Sequence, residues 1–235
     1  MKRLTAIFIA LTLCMGVFAQ TEEVEEKVNK AKDRLVFELN SGYLLHDETE
    51  GYVQKGFQRG MNVYFMYDLV IKKSNFSVAP GIGIGTENWY NKSKITYTDS
   101  LTVFTPFSVD SVNVKSSKLG LTYIDVPLEL RFRSKPNDKN WQWKLAAGFK
   151  IGFLLHSKWK YKGEEFRGIR NDTEGNIKFK EFGIPNMDRL RYGVTARGGY
   201  GPFNLHFYYS LSSLFNDGKG PDLQPIVFGI SINGL

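Results

Sequence analysis

Three histidines and a run of charged residues at alternate positions are the side chains of this 235-residue chain that could do chemistry. His46 is followed by Asp47 and Glu48, and His156 by Ser157, while His206 has no such neighbour. Imidazole beside a hydroxyl and a carboxylate is the constellation of acyl transfer and hydrolysis, in which the base takes the proton of the nucleophile. Those groups must converge within hydrogen-bond reach, and no motif forces them to, so no catalytic residue is assigned. Rim or lumen histidines making hydrogen bonds are expected instead. No His, Cys and carboxylate spacing indicates a metal site, and no cofactor is expected. Gly81-Ile-Gly-Ile-Gly85 lacks the GxGxxG spacing and no helix follows it, which removes a phosphate-binding reading.

The remaining reactive set is ionic. Glu38, Asp125, Glu129, Arg131, Lys150, Arg191 and Arg197 fall on the polar face of alternating segments, as do Asp68, Glu87, Lys144 and His206. Charges enclosed in a narrow, low-dielectric space are costly unless paired. Both signs occur at similar depth, so the expectation is a plugged, salt-bridged lumen, with Gly81, Gly83, Gly85, Gly148, Gly152 and Gly193 leaving room for the long cations. A proton or solute path lined by the same charges is the competing expectation.

A period of two must position these groups. From Trp141 to Tyr161 the odd positions are apolar apart from Ser157, and the even ones are mostly polar, small or cationic. The steps from Leu145 to Leu155, at about 3.3 Å each and about 45° of tilt, give a band on the order of 25 Å tall, the apolar height of an outer-membrane barrel. Ile124, Val126, Leu128, Leu130 and Phe132 repeat the pattern against Asp125, Glu129 and Arg131. Further alternating segments are 35–46, 56–71, 76–90, 189–200, 203–215 and 223–235. Their sum is an all-β, eight-stranded antiparallel up-and-down transmembrane barrel. Pro80, Pro127 and Pro225 lie within strands and point to bulges there. Trp141, Trp143, Trp159, Tyr161, Tyr200 and Phe203 read as the aromatic girdle at the two membrane interfaces. The connections alternate in length, with the even-numbered ones averaging about four residues and the odd-numbered about eighteen. Short periplasmic turns and long outer loops place both termini in the periplasm.

Composition agrees. With 23% charged residues and a mean hydropathy of −0.28 the chain is no helical membrane bundle, and 42% hydrophobic residues argue against disorder. Lys2 and Arg3, the apolar run Leu4–Phe18 and the small residues Val17 and Ala19 form a signal peptide over 1–19, which contains Cys14. Residues 20–34 are a short helical periplasmic leader with acids first and bases last, the order the helix dipole favours. The barrel takes 35–235. The net charge of +7 is spread along strands rather than clustered, which argues against nucleic acid.

Leu121-Thr-Tyr-Ile-Asp-Val-Pro-Leu-Glu-Leu-Arg-Phe-Arg133 resembles a strand of the PorT-like outer-membrane β-barrel proteins of the Bacteroidota, and Gly148–Phe153 and Pro225–Ile232 resemble later strands of that family. The resemblance implies an eight-stranded outer-membrane barrel and, weakly, a connection with type IX secretion. Specific function is expected in the long loops. Residues 91–118 still alternate, as in a hairpin raised above the membrane whose free edge could recruit a partner. Residues 162–188 are charged and could cover the mouth. The expected partners are outer-membrane lipids and, through these loops, secretion or cell-surface proteins. A non-catalytic scaffold, adhesion or secretion-accessory protein, a lipid A-modifying barrel enzyme and a soluble lipocalin-like carrier all stay open at this point.

Overall fold

The computed structural model describes residues 34–46, 51–72, 74–98, 100–107, 114–139, 141–164 and 177–233. The signal peptide, all of the helical leader except Arg34, Asp47, Glu48 and the terminal Gly234-Leu235 lie outside them. The described residues contain no helix. Their strands are β1 (Leu35–Leu45), β2 (Arg59–Met66), β3 (Leu69–Val70), β4 (Phe76–Asn91), β5 (Ser93–Tyr97), β6 (Thr102–Pro106), β7 (Val114–Arg133), β8 (Trp143–Gly163), β9 (Ile177–Phe182), β10 (Leu190–Tyr200), β11 (Phe203–Ser210) and β12 (Gln224–Asn233).

The pairing order β10-β11-β12-β1-β2-β4-β7-β8 closes on itself, because β8 also pairs β10. The result is the closed, eight-stranded antiparallel barrel that the period predicts. Closure leaves no unpaired sheet edge, which is what lets strands cross a bilayer. β9 and β10 together form one wall strand: β9 pairs the upper part of β8 and β10 the lower part, with a short excursion between them. The chain leaves that wall where Gly183 N donates to Ser157 O, and it returns where Leu154 N donates to Arg189 O. Val36 pairs Asn233 and Leu35 pairs Phe65, so both ends of the barrel lie at the end carrying the short turns.

Below the middle of β8 the outward positions are greasy all the way round. Leu39, Met61, Ile82, Leu128, Phe149, Leu205 and Ile230 are each about half or more exposed, and Tyr192 of β10 is nearly so. Lys150, on the same strand as Phe149, is buried. Above the middle the relation inverts. Trp159 and Tyr161 are fully buried, with Trp89, Leu119, Leu121 and Ile95 around them. These two aromatics were expected in the lipid girdle, and the structure corrects that. Tyr123 pairs Leu154 and Thr122 pairs His156, so Leu155 is an extra residue in β8. A bulge of one residue turns every later side chain to the other face.

The expected bulges at proline are not found. Pro127 faces Lys150 and Pro225 faces Leu44 in unshifted register. Pairing between β4 and β7 lapses between Pro80↔Leu128 and Gly83↔Asp125 and then resumes with the same offset. The missing N–H groups interrupt the ladder there without displacing it.

Candidate functional site: enclosed charges and a covered mouth

The inward positions of the lower barrel bring the ionic residues together. Because the side-chain period is two, Asp125, Glu129, Arg131 and Arg133 of β7 share one face, and Arg191 and Arg197 of β10 meet them over the small residues Gly152 and Ala146 of the intervening strand β8. Arg191 lies between Asp125 (Nη2–Oδ2 2.7 Å) and Glu87 of β4, and its guanidinium stacks 3.7 Å from the Tyr123 ring centre. Asp125 also accepts from Tyr64 Oη at 3.1 Å, and Lys150 Nζ stands 4.0 Å from it and 3.8 Å from the Tyr208 ring centre. Further down, Arg197 bridges Glu38 (2.6 Å) and Glu129 (3.1 Å), and Asn62 Nδ2 donates to Glu38 at 2.8 Å. Arg131 joins Glu129 (2.8 Å) to Asp68 (3.1 Å), and Arg133 closes the row on Asp68 at 2.8 Å. His206 Nε2 is 3.7 Å from Glu38 Oε2.

Five carboxylates (Glu38, Asp68, Glu87, Asp125, Glu129) thus face five cations (Arg131, Arg133, Lys150, Arg191, Arg197), all strongly buried. The formal charges cancel, which is what an enclosed, low-dielectric space requires. A cavity among Glu38, Lys150, Arg197 and His206 has about 10 Å³ for solvent, room for roughly one water. Gly85 and Gly152 flank the Asp125–Arg191 pair so closely that a Cβ on either would run into its atoms. Lys144, expected in the lumen, sits half-buried at the short-turn end, in the row of Arg133 and Gly199. The alternation of β7 put Tyr123 on the face of Asp125 and Glu129, as found, but the tyrosines 64 and 208 that also wedge between the charges were not picked out. Their inward phase was legible, but a ring reads first as a lipid-facing group.

Above the charges the lumen becomes a hydrophobic core, closed by loops. β5 and β6 pair as a separate hairpin, and it does not stand free above the barrel as expected. It folds inward, and Ile95 and Phe104 are buried in the cluster of Tyr52, Trp89, Trp159 and Phe215. Phe104 meets Tyr52 and Phe215 edgewise, with centroids at 5.4 and 5.9 Å. Thr102 N donates to Lys219 O at 2.9 Å and Thr102 Oγ1 to Pro185 O at 3.2 Å, tying the hairpin to two other outer loops. Burial pushes the Tyr52 phenol well above the ordinary tyrosine range. Within 162–188, the part from 165 to 176 lies outside the described residues. Residues 177–182 are wall strand, and Ile184 and Met187 enter the mouth cluster.

The remaining aromatics of the sequence set lie outside. Trp141, Trp143 and Tyr200 cluster at the short-turn end with centroids 5.1–5.5 Å apart, and Phe203 is exposed beside the turn at Gly201-Pro202. The histidines do not converge with nucleophiles. His156 is exposed and lies against Phe182, whereas Ser157 points inward and accepts from Ile184 N at 2.9 Å. His46 packs edgewise on Tyr52. Among the described residues no cluster of His, Cys and carboxylates could hold a metal.

A closed barrel that is apolar outward on all eight wall strands and ion-paired within is built to stand in a lipid bilayer, and the bilayer crossed by such closed sheets is the bacterial outer membrane. The chain belongs to the outer membrane protein beta-barrel domain family, whose pattern matches residues 18–216. No curated protein matches the chain significantly. Among solved structures it is similar to Ail, the attachment invasion locus protein of Yersinia pestis, crystallised with the heparin analogue sucrose octasulfate. The identity is 14%, over 85% of this chain and 94% of that one, with a TM-score of 0.36.

Proposed function

We propose that this protein is a non-catalytic outer-membrane barrel that conducts nothing and acts through the loops of its covered end, as a scaffold, adhesion or secretion-accessory protein. The observation that carries this is the double closure. Balanced ion pairs fill the lower lumen, and the β5–β6 hairpin is packed into the upper one. A barrel of eight strands leaves an interior that side chains can fill, and a filled interior moves function to the surface. The loop-rich end faces outward and both termini face the periplasm, following the usual division between short inner turns and long outer loops. Of the three surface roles, the likeness of Leu121–Arg133 to the PorT-like strand favours accessory work in protein secretion. The opposite facing of His156 and Ser157 speaks against the lipid A-modifying enzyme.

The test is complementation. Cells lacking the gene are given either the full chain or a chain in which residues 92–107 are replaced by a short Gly-Ser turn, and surface adhesion and protein secretion are measured. The full chain restores the phenotype and the shortened chain, although inserted, does not. Equal restoration by both would refute the role of the loops. Unitary conductance from the reconstituted full chain would refute the closed lumen, and altered lipid A species on deletion would point to the enzyme.

A further inference from the structure

Above the β8 bulge the outer face of the wall carries lysines in register. Lys118 of β7 lies opposite Lys160 of β8, which lies opposite Lys180 of β9. Lys162 faces Lys178 in the next row, and Lys158 sits in the row nearest the membrane, between Gly120 and Phe182. Directly opposed like charges, about 4.5–5.5 Å apart at Cβ, destabilise a sheet. Their own strands supply no counter-charge. The four carboxylates of β4, β7, β8 and β9 are Glu87, Asp125, Glu129 and Glu181. The first three are buried in the lumen, and Glu181 pairs with the inward Trp159 and accepts from Tyr97 Oη at 3.0 Å. Lys118 donates to Asn88 Oδ1 at 2.9 Å, a neutral partner. Rows of cations that weaken the sheet and face solvent offer a site to an anion from outside the chain.

Height identifies that anion. On β8 the last lipid-facing residues are Phe153 and Leu155, and on β9 Phe182 is exposed in the row of Lys158, its ring against His156. Lys158 to Lys162 follow about 7 to 16 Å further along the barrel axis, at roughly 3.3 Å per residue and 45° of tilt. This is the headgroup layer, where a membrane lipid whose acyl chains lie against Phe153 and Leu155 holds its phosphates. We propose that the lysine ladder is a docking surface for the phosphate groups of lipid A in the outer leaflet. The inference rests on the membrane reading above, with the loop-rich end outward.

The test uses the full chain in nanodiscs of uncharged phospholipid, titrated with bisphosphorylated lipid A, with the same lipid A after phosphatase treatment, and with inorganic phosphate. The variant is Lys158→Gln/Lys160→Gln/Lys180→Gln. Tight, salt-sensitive binding of bisphosphorylated lipid A is expected, weakened by a little over about 100-fold in the variant, since each of the three lysines at an anionic surface contributes about a factor of five. The variant is expected to be at least as resistant to urea as the parent when lipid A is absent, because the opposed charges are relieved. Equal lipid A binding by parent and variant, equal binding of the dephosphorylated lipid, or inorganic phosphate competing at stoichiometric concentration would each overturn the proposal. So would a variant that fails to fold, since the lysines would then be structural. Fractionation of the parent separates the two readings: a chain absent from outer membranes removes the membrane reading, and a chain present there that ignores lipid A removes the ladder alone.

Discussion

Replacing Arg191 by Met tests whether the lumen charges are enclosed. Arg191 is 3% exposed and holds both Asp125 and Glu87. Methionine keeps much of the volume and deletes the charge. The two carboxylates keep only Lys150 at 4.0 Å, Tyr64 Oη at 3.1 Å and Trp89 Nε1 at 3.1 Å. Breaking a buried pair from one side costs about 3–5 kcal/mol, and these residual contacts set the loss near 3 kcal/mol, about a hundredfold in the folding equilibrium. The double variant Glu87→Gln/Arg191→Met removes one charge of each sign and leaves Asp125 facing Lys150, so it recovers about 2 kcal/mol of that loss. The assay is reversible urea unfolding in phospholipid vesicles, followed by tryptophan emission. A loss below about 1 kcal/mol for Arg191→Met, or no recovery in the double variant, would mean that water reaches these charges and that the lumen is open.

Other outcomes follow from the same packing. Gly152→Val is expected to block folding or cost several kcal/mol, because its side chain would occupy the position of Asp125 Oδ1 and Arg191 Nε; near-wild-type urea resistance would contradict the pairing. Brominated lipids should quench Trp143, which is 63% exposed, and leave Trp89 and Trp159 bright when each is studied as the single tryptophan; strong quenching of Trp159 would return it to the girdle. Phe104→Ala is expected to cost about 3 kcal/mol at the mouth, seen as faster hydrogen exchange in 93–106 with the β1–β12 and β10–β11 ladders unchanged; uniform exchange throughout would show that the hairpin is part of the wall.

The lower barrel was legible because two solvents sort its residues: lipid selects Leu145, Phe149 and Ile151 for one face, and the opposite face collects Lys150 and Gly152. Alternation reads that directly. It misled above Leu155 because the apolar odd positions continue through Trp159 and Tyr161. The twenty-one residues of β8, at about 3.3 Å each and about 45° of tilt, rise nearly 50 Å, about twice the apolar height of such a barrel. Its upper part must therefore stand in water, where an apolar face belongs inside. The bulge reconciles the two: the extra residue Leu155 flips the faces where lipid gives way to water, so the apolar positions keep their odd parity and the sequence shows no break. The hairpin's strand character was visible in Ile95, Tyr97, Leu101 and Val103, but its inward fold depends on Phe104 meeting Tyr52 and Phe215, which are distant in sequence. Lys158, Lys160 and Lys162 occupy the same parity as Lys144 and Lys150 and so read as lumen residues until the bulge turns them out.

The facing of side chains relative to lipid can be measured one residue at a time. Spin labels are placed on cysteines substituted at Phe149, Lys150, Ile151 and Phe153 in the bilayer-inserted protein, and collision rates with oxygen, which dissolves in acyl chains, are compared with those of a water-soluble nickel chelate. High oxygen and low nickel access are expected at 149, 151 and 153, and low access to both at 150. Nickel access at the three apolar positions, with oxygen excluded, would mean that they face water and that the barrel does not cross a membrane through this band.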